Sequence, residues 1–170
     1  MELVIFIGLQ GAGKSTFFQA RFAKAHAYVS KDLMRNNRDP NRRQGVLVEA
    51  ALREGRSVVV DNTHPRVEDR AVLIALGRVH GARVVGYYFR PDLAGSLRRN
   101  AKREGKARVP NVAIFATRKR LQPPTPAEGF DALYVVEPTA NHHFRVEPWT
   151  EADAVPLTPG PPVLDSPHDR

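Results

Sequence analysis

The chain has 170 residues, of which 42% are hydrophobic and 26% are charged, and this composition predicts one soluble globular domain with a buried core. No apolar run approaches the roughly 20 residues of a membrane-spanning helix, and the N-terminus MELVIFIG lacks the basic segment and cleavage site of a signal peptide. With no cysteine, disulfides and thiolate metal sites are excluded, and we expect a cytoplasmic protein that binds no membrane.

The formal net charge of +8 is distributed unevenly along the chain. Residues 1–136 contain 24 basic and 12 acidic residues, a balance of +12, whereas residues 137–170 contain 2 and 6, a balance of −4. Of the 26 basic residues 20 are Arg, whose planar guanidinium binds phosphate through two hydrogen bonds. This excess of arginine has two possible explanations: a general one, which is genomic base composition or a thermophilic habit, and a functional one, which is a polyanionic partner. The positions of the basic residues in the chain distinguish between them.

Apolar runs alternate with helical patterns over the first 136 residues. The predicted strands are Leu3–Ile7, Ala27–Ser30, Val58–Val60, Val84–Phe89 and Ala132–Val136. The predicted helices are Lys14–Ala25, Arg42–Glu54, Pro65–Val79, Leu93–Arg103 and Val112–Leu121. Strands separated by helices predict a three-layer α/β domain around a mostly parallel, five-stranded sheet. Ten of the 14 prolines follow residue 121, so we expect the domain to end at residue 136 and a proline-rich acidic tail to cover residues 137–170.

A phosphate-binding motif follows the first strand. Gly8-Leu-Gln-Gly-Ala-Gly-Lys14-Ser15 matches the P-loop pattern G-x-x-x-x-G-K-[ST], between a strand and a helix as its mechanism requires. In such a loop the backbone N–H groups surround the phosphates, the lysine reaches the β- and γ-phosphates, and the serine hydroxyl binds Mg²⁺. The motif therefore predicts a P-loop NTPase that binds a nucleoside triphosphate through Gly11, Ala12, Gly13, Lys14 and Ser15, with Ser15 as the Mg²⁺ ligand. A GTPase, a motor ATPase and a small kinase with an NMP-kinase-like fold all remain open at this point.

The end of the third strand narrows the reaction class. The chain has no N-K-x-D motif, which argues against a GTPase, and the strand ends in the single carboxylate of Asp61 rather than in adjacent carboxylates, which argues against a motor ATPase. A small kinase remains. Asp61 either orients a Mg²⁺-bound water or the acceptor, or caps the helix predicted from Pro65.

A kinase also needs a carboxylate that accepts the proton of the attacking hydroxyl. Asp32 follows the second predicted strand at its carboxyl end, where sites of α/β proteins lie. Arg35 would share a helical face with Asp32, and Arg38 lies three residues further on. One interpretation makes Asp32 the base, with Arg35 holding an acceptor phosphate and Arg38 close by, and the other makes Asp32 a helix N-cap.

A lid must screen the transferring phosphoryl group, and residues 98–108 are suited to this role. They contain six basic residues and only Glu104 in opposition. Arg99 and Arg103 are four residues apart and would share a helix face, where like charges repel unless an anion bridges them. The segment is either a lid that supplies Arg99 and Arg103 to the triphosphate or a solvated basic face.

Several segments together resemble the kinase domain of polynucleotide 5′-hydroxyl kinases of the phage and animal end-healing type. The resemblance runs from about Leu3 to Pro138, and its carriers are residues 8–17, 58–65, 99–110 and 124–130. The last is the most specific, because no general P-loop requirement calls for it. Lys31 stands where the family has Arg, which keeps the charge but loses the fork, and Gln10 stands where Pro is common.

The resemblance implies transfer of the γ-phosphate of ATP to the 5′-OH end of DNA or RNA. It implies that ATP and Mg²⁺ are bound by Lys14, Ser15 and Thr16. It assigns the general base to Asp32, the acceptor phosphate to Arg35, a place near the acceptor to Asp61 and the lid arginine to Arg103, with Arg99 a weaker candidate. A kinase of a small metabolite or antibiotic, and a non-enzymatic NTP- or nucleic-acid-binding module, remain alternatives. The chain has no Asp-x-Asp phosphatase motif and no ligase motif, so we expect any phosphatase or ligase partner to be a separate polypeptide.

Overall fold

Six strands form one sheet in the computed structural model, which describes residues 1–156. In chain order they are β1 (Glu2–Ile7), β2 (Ala27–Val29), β3 (Val58–Asp61), β4 (Arg83–Phe89), β5 (Ala132–Pro138) and β6 (Phe144–Pro148). Their order across the sheet is β2-β3-β1-β4-β5-β6. The first five are parallel, and β6 is antiparallel to β5. The prediction of a three-layer α/β fold with a mostly parallel sheet is confirmed.

The sixth strand corrects the predicted count of five. Strand β6 pairs with β5, with Val146 opposite Val136, so the sheet extends beyond residue 136, where we expected the tail to begin. The strand escapes sequence analysis because it has five residues and ends in Pro148, a residue that a sheet tolerates at its edge and not at its centre. Residues 157–170, the rest of the predicted tail, lie outside the described residues.

Five α-helices connect the parallel strands. They are α1 (Lys14–Arg21), α2 (Pro40–Arg53), α3 (Val67–Val79), α4 (Leu93–Ala101) and α5 (Asn111–Arg120), and short 3₁₀ turns cover Lys31–Met34, Gly105–Ala107 and Pro126–Glu128. Helix α2 begins two residues earlier than predicted because the Asp39 carboxylate accepts a hydrogen bond from the Arg42 N–H at 3.0 Å. Within residues 1–156, no helix combines the length and the apolar character needed to span a membrane.

The core lies on both faces of the sheet, because side chains of β1 alternate between them. Leu3, Ile5 and Ile7 pack on one face against a layer that includes α2, α3 and α5. Val4 and Phe6 pack on the other face against α1. There the Phe6 ring lies 5.6 Å from Phe17, centroid to centroid, in an aromatic cluster that buries the first helix.

The register of the sheet brings two loops together at its carboxyl edge. Phe6 of β1 lies opposite Asp61 of β3, and beyond these strands the Gly8 N–H donates to the Thr63 carbonyl at 3.0 Å. The P-loop and the loop after β3 are therefore neighbours, in the position where α/β proteins build their sites.

Candidate active site

The loop between β1 and α1 has the conformation of a phosphate cradle. Gly11 and Gly13 have φ values of 74° and 93°, in the left-handed region that favours glycine. A Cβ on Gly11 would also lie 2.7 Å from the carbonyl oxygen of Ser96. Helix α1 begins at Lys14, so its unpaired N–H groups and positive dipole end face the loop.

Lys14 is a buried cation held by its own loop. Its Nζ donates to the carbonyl oxygens of Gly8 at 3.0 Å and Leu9 at 2.6 Å. The pKa of Lys14 is lowered from 10.5 to about 8, mainly by burial. The Asp61 carboxylate opposes this shift, the Arg103 guanidinium adds to it, and the Asp32 carboxylate opposes it. Two neutral carbonyls do not neutralise the ammonium group, so the site favours a bound anion.

The hydroxyl after the lysine points to the end of β3. Ser15 Oγ donates to Asp61 Oδ2 at 2.9 Å, and the Tyr28 hydroxyl donates to the same oxygen at 2.6 Å. Asp61 is 5% exposed and forms no ion pair in the described part of the chain. Burial and Asp61 together raise the pKa of Tyr28 to about 12, so it remains a donor.

This oxygen-rich pair fits Mg²⁺, a hard cation that takes one or two protein oxygens and completes its shell with water and phosphate. The alternative cap role of Asp61 is wrong. Helix α3 begins at Val67 rather than Pro65, and the carboxylate that accepts from the Arg66 N–H is Asp69, at 3.0 Å.

Asp32 and Arg35 line the same cavity as Lys14 and Ser15. The 3₁₀ turn after β2 is capped by Ser30, whose Oγ accepts from the Asp32 N–H at 3.3 Å, so the N-cap interpretation of Asp32 is wrong. The Asp32 carboxylate is 82% exposed and lies 3.9 Å from the Arg35 guanidinium. Arg38 is exposed and does not line the cavity.

Two side chains that sequence analysis missed fix this turn to β3. The Lys31 N–H donates to Asn62 Oδ1 at 3.0 Å, and Asn62 Nδ2 donates to Gln44 Oε1 of α2. The only sequence signal for Asn62 is its position beside Asp61. The structural role of Asn62 and Gln44 could not be predicted, because it depends on contacts between residues that are distant in the chain.

The two arginines of the predicted lid, Arg99 and Arg103, lie in different surroundings. Helix α4 ends at Ala101 rather than Arg103, so Arg99 and Arg103 do not share a helix face as expected. Arg99 Nε donates to the Gly11 carbonyl, and Arg99 does not line the cavity. Arg103 lines the cavity and is close enough to lower the pKa of Lys14. Buried Asn100 holds the lid by donating to the Val109 carbonyl at 2.8 Å and accepting from the Val109 N–H at 3.0 Å.

The cavity, hereafter the reaction cavity, has a volume of about 720 Å³. Six basic and three acidic side chains line it, a balance that suits a polyanion. The predicted residues that it brings together are Gly11, Ala12, Lys14, Ser15, Asp32, Arg35, Asp61 and Arg103. Gly13, which precedes α1, and Thr16, which lies within α1, do not line the reaction cavity, and Thr16 is exposed.

His64 is a further lining residue that the sequence did not single out. It has a φ of 40° and is 3% exposed, and its Nδ1–H donates to the Phe6 carbonyl at 2.6 Å. Burial lowers its pKa to about 4, so the ring is neutral at pH 7. The lining cations are therefore the Lys and Arg residues alone.

The parallel sheet, the glycine-rich loop and the buried lysine define a P-loop domain of the kinase type. Residues 3–124 match the family model AAA_33, described as "AAA domain", and the chain belongs to this family.

The relatives include a polynucleotide kinase. The Schizosaccharomyces pombe (strain 972 / ATCC 24843) protein named "Bifunctional polynucleotide phosphatase/kinase" is 26% identical over 135 residues, which are 76% of this chain and 32% of that protein. The chain thus spans about a third of this relative's length. The resemblance to polynucleotide kinases is confirmed.

Solved structures confirm the fold. The crystal structure of a fungal RNA kinase matches with a TM-score of 0.63 and 15% identity, over 82% of this chain and 40% of that chain. A sugar kinase from Janibacter sp. HTCC2649 matches with the same TM-score of 0.63 and 17% identity, over 81% of this chain and 85% of that chain. Since enzymes with different acceptors match equally well, the fold leaves the acceptor open.

Proposed function

We propose that the protein is a kinase that transfers the γ-phosphate of ATP to the 5′-hydroxyl end of DNA or RNA. The observation that carries this proposal is the shared reaction cavity, which is lined both by Lys14 of the P-loop and by the Asp32–Arg35 pair that follows β2. The S. pombe relative, named a polynucleotide phosphatase/kinase, supports the nucleic-acid acceptor. The partner that the proposal requires is a nucleic acid with a free 5′ hydroxyl.

The donor half of the site binds the triphosphate. Backbone N–H groups of residues 11–15 and the Lys14 ammonium hold its phosphates, and Arg103 adds positive charge from the lid. Ser15 and Asp61 are the residues that would hold Mg²⁺. The ion neutralises charge on the β- and γ-phosphates when bound.

The acceptor half of the site handles the proton. The Asp32 carboxylate accepts the proton of the 5′ hydroxyl as its oxygen forms a bond to the γ-phosphorus. The bond from that phosphorus to the β-phosphate oxygen breaks, and ADP leaves with the electron pair. Lys14 and Arg103 stabilise the charge that shifts to the leaving oxygen.

The test is transfer from γ-labelled ATP to 5′-OH DNA, 5′-OH RNA and a free nucleoside. We expect label on the oligonucleotides and little on the nucleoside. No label on any oligonucleotide would contradict the proposal, and efficient label on the nucleoside alone would favour a small-molecule kinase. ATP binding without transfer to any hydroxyl would favour the non-enzymatic alternative.

The role of Asp32 is tested by Asp32→Asn, which keeps the shape of the side chain and removes its basicity. We expect kcat to fall by about 10²–10⁴-fold with an unchanged melting temperature, because the side chain is exposed. Glu68→Gln is the matched control, since Glu68 is exposed and lies outside the reaction cavity. Near-normal turnover of Asp32→Asn would remove Asp32 from the role of base.

The role of Arg35 is tested by Arg35→Gln, compared with Arg38→Gln. Arg35 lines the reaction cavity and Arg38 does not, so we expect Arg35→Gln to raise the acceptor KM about tenfold and Arg38→Gln to leave it nearly unchanged. Equal effects of the two substitutions would show that general charge, and not a contact at Arg35, governs acceptor binding.

A further inference from the structure

A second concave surface adjoins the reaction cavity. It is a groove of about 500 Å³, hereafter the outer groove, between the 3₁₀ turn after β2, the start of α2 and the tip of the lid. Asp32 and Arg35 line both the reaction cavity and the outer groove. A ligand that places its hydroxyl at Asp32 and a phosphate at Arg35 can therefore continue from the reaction cavity into the outer groove.

The outer groove carries its own positive charge. Arg43 of α2 and Lys106 of residues 98–108 both line it, and Asp32 is its only acidic lining residue among those described. Neither Arg43 nor Lys106 takes part in an ion pair within residues 1–156. Two cations that face one groove without an acidic partner suit an anionic ligand.

The rim of the outer groove is apolar at one point. Leu33 lines it and is 73% exposed, so its apolar side chain is available to a ligand in the groove. A nucleotide combines an anionic phosphate with a base that has a flat, largely apolar face, and these two parts match the cations and the exposed apolar side chain of the groove.

We propose that the outer groove is a subsite for the second nucleotide of the acceptor strand, with its phosphate between Arg43 and Lys106 and its base against Leu33. This inference rests on the proposed function and deepens it, because it specifies a polymeric acceptor. A single nucleotide ends at Arg35. Only a strand of two or more nucleotides reaches Arg43 and Lys106.

The first experiment compares two acceptors with two double variants. The acceptors are a nucleoside 3′-monophosphate and a single-stranded 5′-OH hexanucleotide. Arg43→Gln/Lys106→Gln removes the groove cations, and Arg42→Gln/Lys102→Gln is the matched control, because Arg42 and Lys102 are exposed neighbours that line neither concave surface. We expect the groove variant to raise the KM of the hexanucleotide about tenfold and to leave that of the monophosphate unchanged.

The second experiment measures hexanucleotide binding without catalysis. For single strands each phosphate contact contributes about −0.7 to the slope of log K against log salt concentration. The groove variant should therefore reduce the slope by about 1.4, and the control variant should leave it unchanged. This measurement does not require turnover, so it tests the outer groove even if the wild-type protein labels no acceptor, an outcome that would contradict the proposed function alone.

Three results would overturn the subsite. The first is a hexanucleotide KM and salt slope unchanged in the groove variant. The second is an equal loss in the control variant, which would mean general basicity. The third is an equal rise in KM for the monophosphate, which would place Arg43 and Lys106 at the terminal nucleotide.

Discussion

Lys14 illustrates how a single residue can be poised for an anion. The folded chain keeps its ammonium group buried against two carbonyls, and burial lowers its pKa from 10.5 to about 8. Between these two pH values the unfolded chain binds more protons than the folded chain, so the free energy of unfolding of the nucleotide-free protein rises with pH. The charged form is thus costly until phosphates balance it.

We predict that nucleotide binding takes up a proton at alkaline pH and weakens as pH rises above about 8. Bound phosphates favour the charged amine and raise its pKa, so affinity should fall by up to about tenfold per pH unit. Calorimetric titration with ADP at pH 7 and 9, in buffers of different ionisation enthalpy, counts the protons.

Lys14→Met should bind ADP more weakly and lose this proton uptake, whereas Lys24→Gln, at an exposed position of the same segment, should retain both. The other shifted groups of the site do not titrate in this window, because the pKa of Tyr28 is about 12 and that of His64 about 4. The same pH dependence in Lys14→Met would assign the proton to another group.

Sequence alone predicts the parts of the site that local pattern encodes. The P-loop is a contiguous motif, and Asp32 and Asp61 follow apolar strands, so their places at the carboxyl edge could be foreseen. The hydrogen bond of Tyr28 to Asp61 joins residues 33 positions apart, and no periodic pattern in the sequence predicts it. The different surroundings of Arg99 and Arg103 could not be predicted either, since they depend on where α4 ends.

At the scale of elements, a buried ion pair holds residues 124–130, the segment before β5, against α3. This segment carries the most specific part of the resemblance to polynucleotide kinases. Arg70 of α3 is 0% exposed. Its Nε donates to Glu128 Oε2 at 2.7 Å, and its Nη2 donates to Glu128 Oε1 at 2.8 Å. It also donates to the carbonyl oxygens of His64 at 2.9 Å and Gln122 at 3.2 Å. The pair thereby fixes the loop after β3, which lines the reaction cavity.

We predict that Arg70→Met lowers the free energy of unfolding by about 3–5 kcal/mol, because it leaves the Glu128 carboxylate buried without its partner. Arg70→Met/Glu128→Leu should be less destabilised than Arg70→Met alone, since it removes both charges. Urea unfolding measures these values. The control is Arg78→Met. The ion pair of Arg78 with Asp131 is partly exposed, so its loss should lower the free energy of unfolding by about 1 kcal/mol or less. An Arg70→Met effect as small as that of the control would contradict a stabilising role for the buried Arg70–Glu128 ion pair.

At the scale of the whole molecule, β6 connects the end of the described chain to the nucleotide site. The Phe144 ring lies 5.1 Å from the Phe17 ring of α1, centroid to centroid, and its Cε1 lies 3.2 Å from where a Cβ of Gly13 would be. Strand β6 therefore packs against both the aromatic face of the sheet and the P-loop. We propose that the folded domain extends to about residue 156.

This proposal predicts different behaviour for chains that end at residues 156 and 136. The chain 1–156 should melt at the temperature of the full chain and bind ADP equally well. The chain 1–136 should melt at a lower temperature, bind ADP more weakly and aggregate, because it loses β6, uncovers an edge of β5 and exposes the aromatic face.

Phe144→Ala in the full chain tests the packing of β6 without truncation. It should lower the free energy of unfolding by about 1–3 kcal/mol, less than the same substitution at a fully buried phenylalanine. Phe115→Ala, at a half-exposed position of α5, serves as its control. If the chain 1–136 instead matched the full chain in melting temperature and ADP affinity, β6 would be an appendage of a domain that is complete at residue 136.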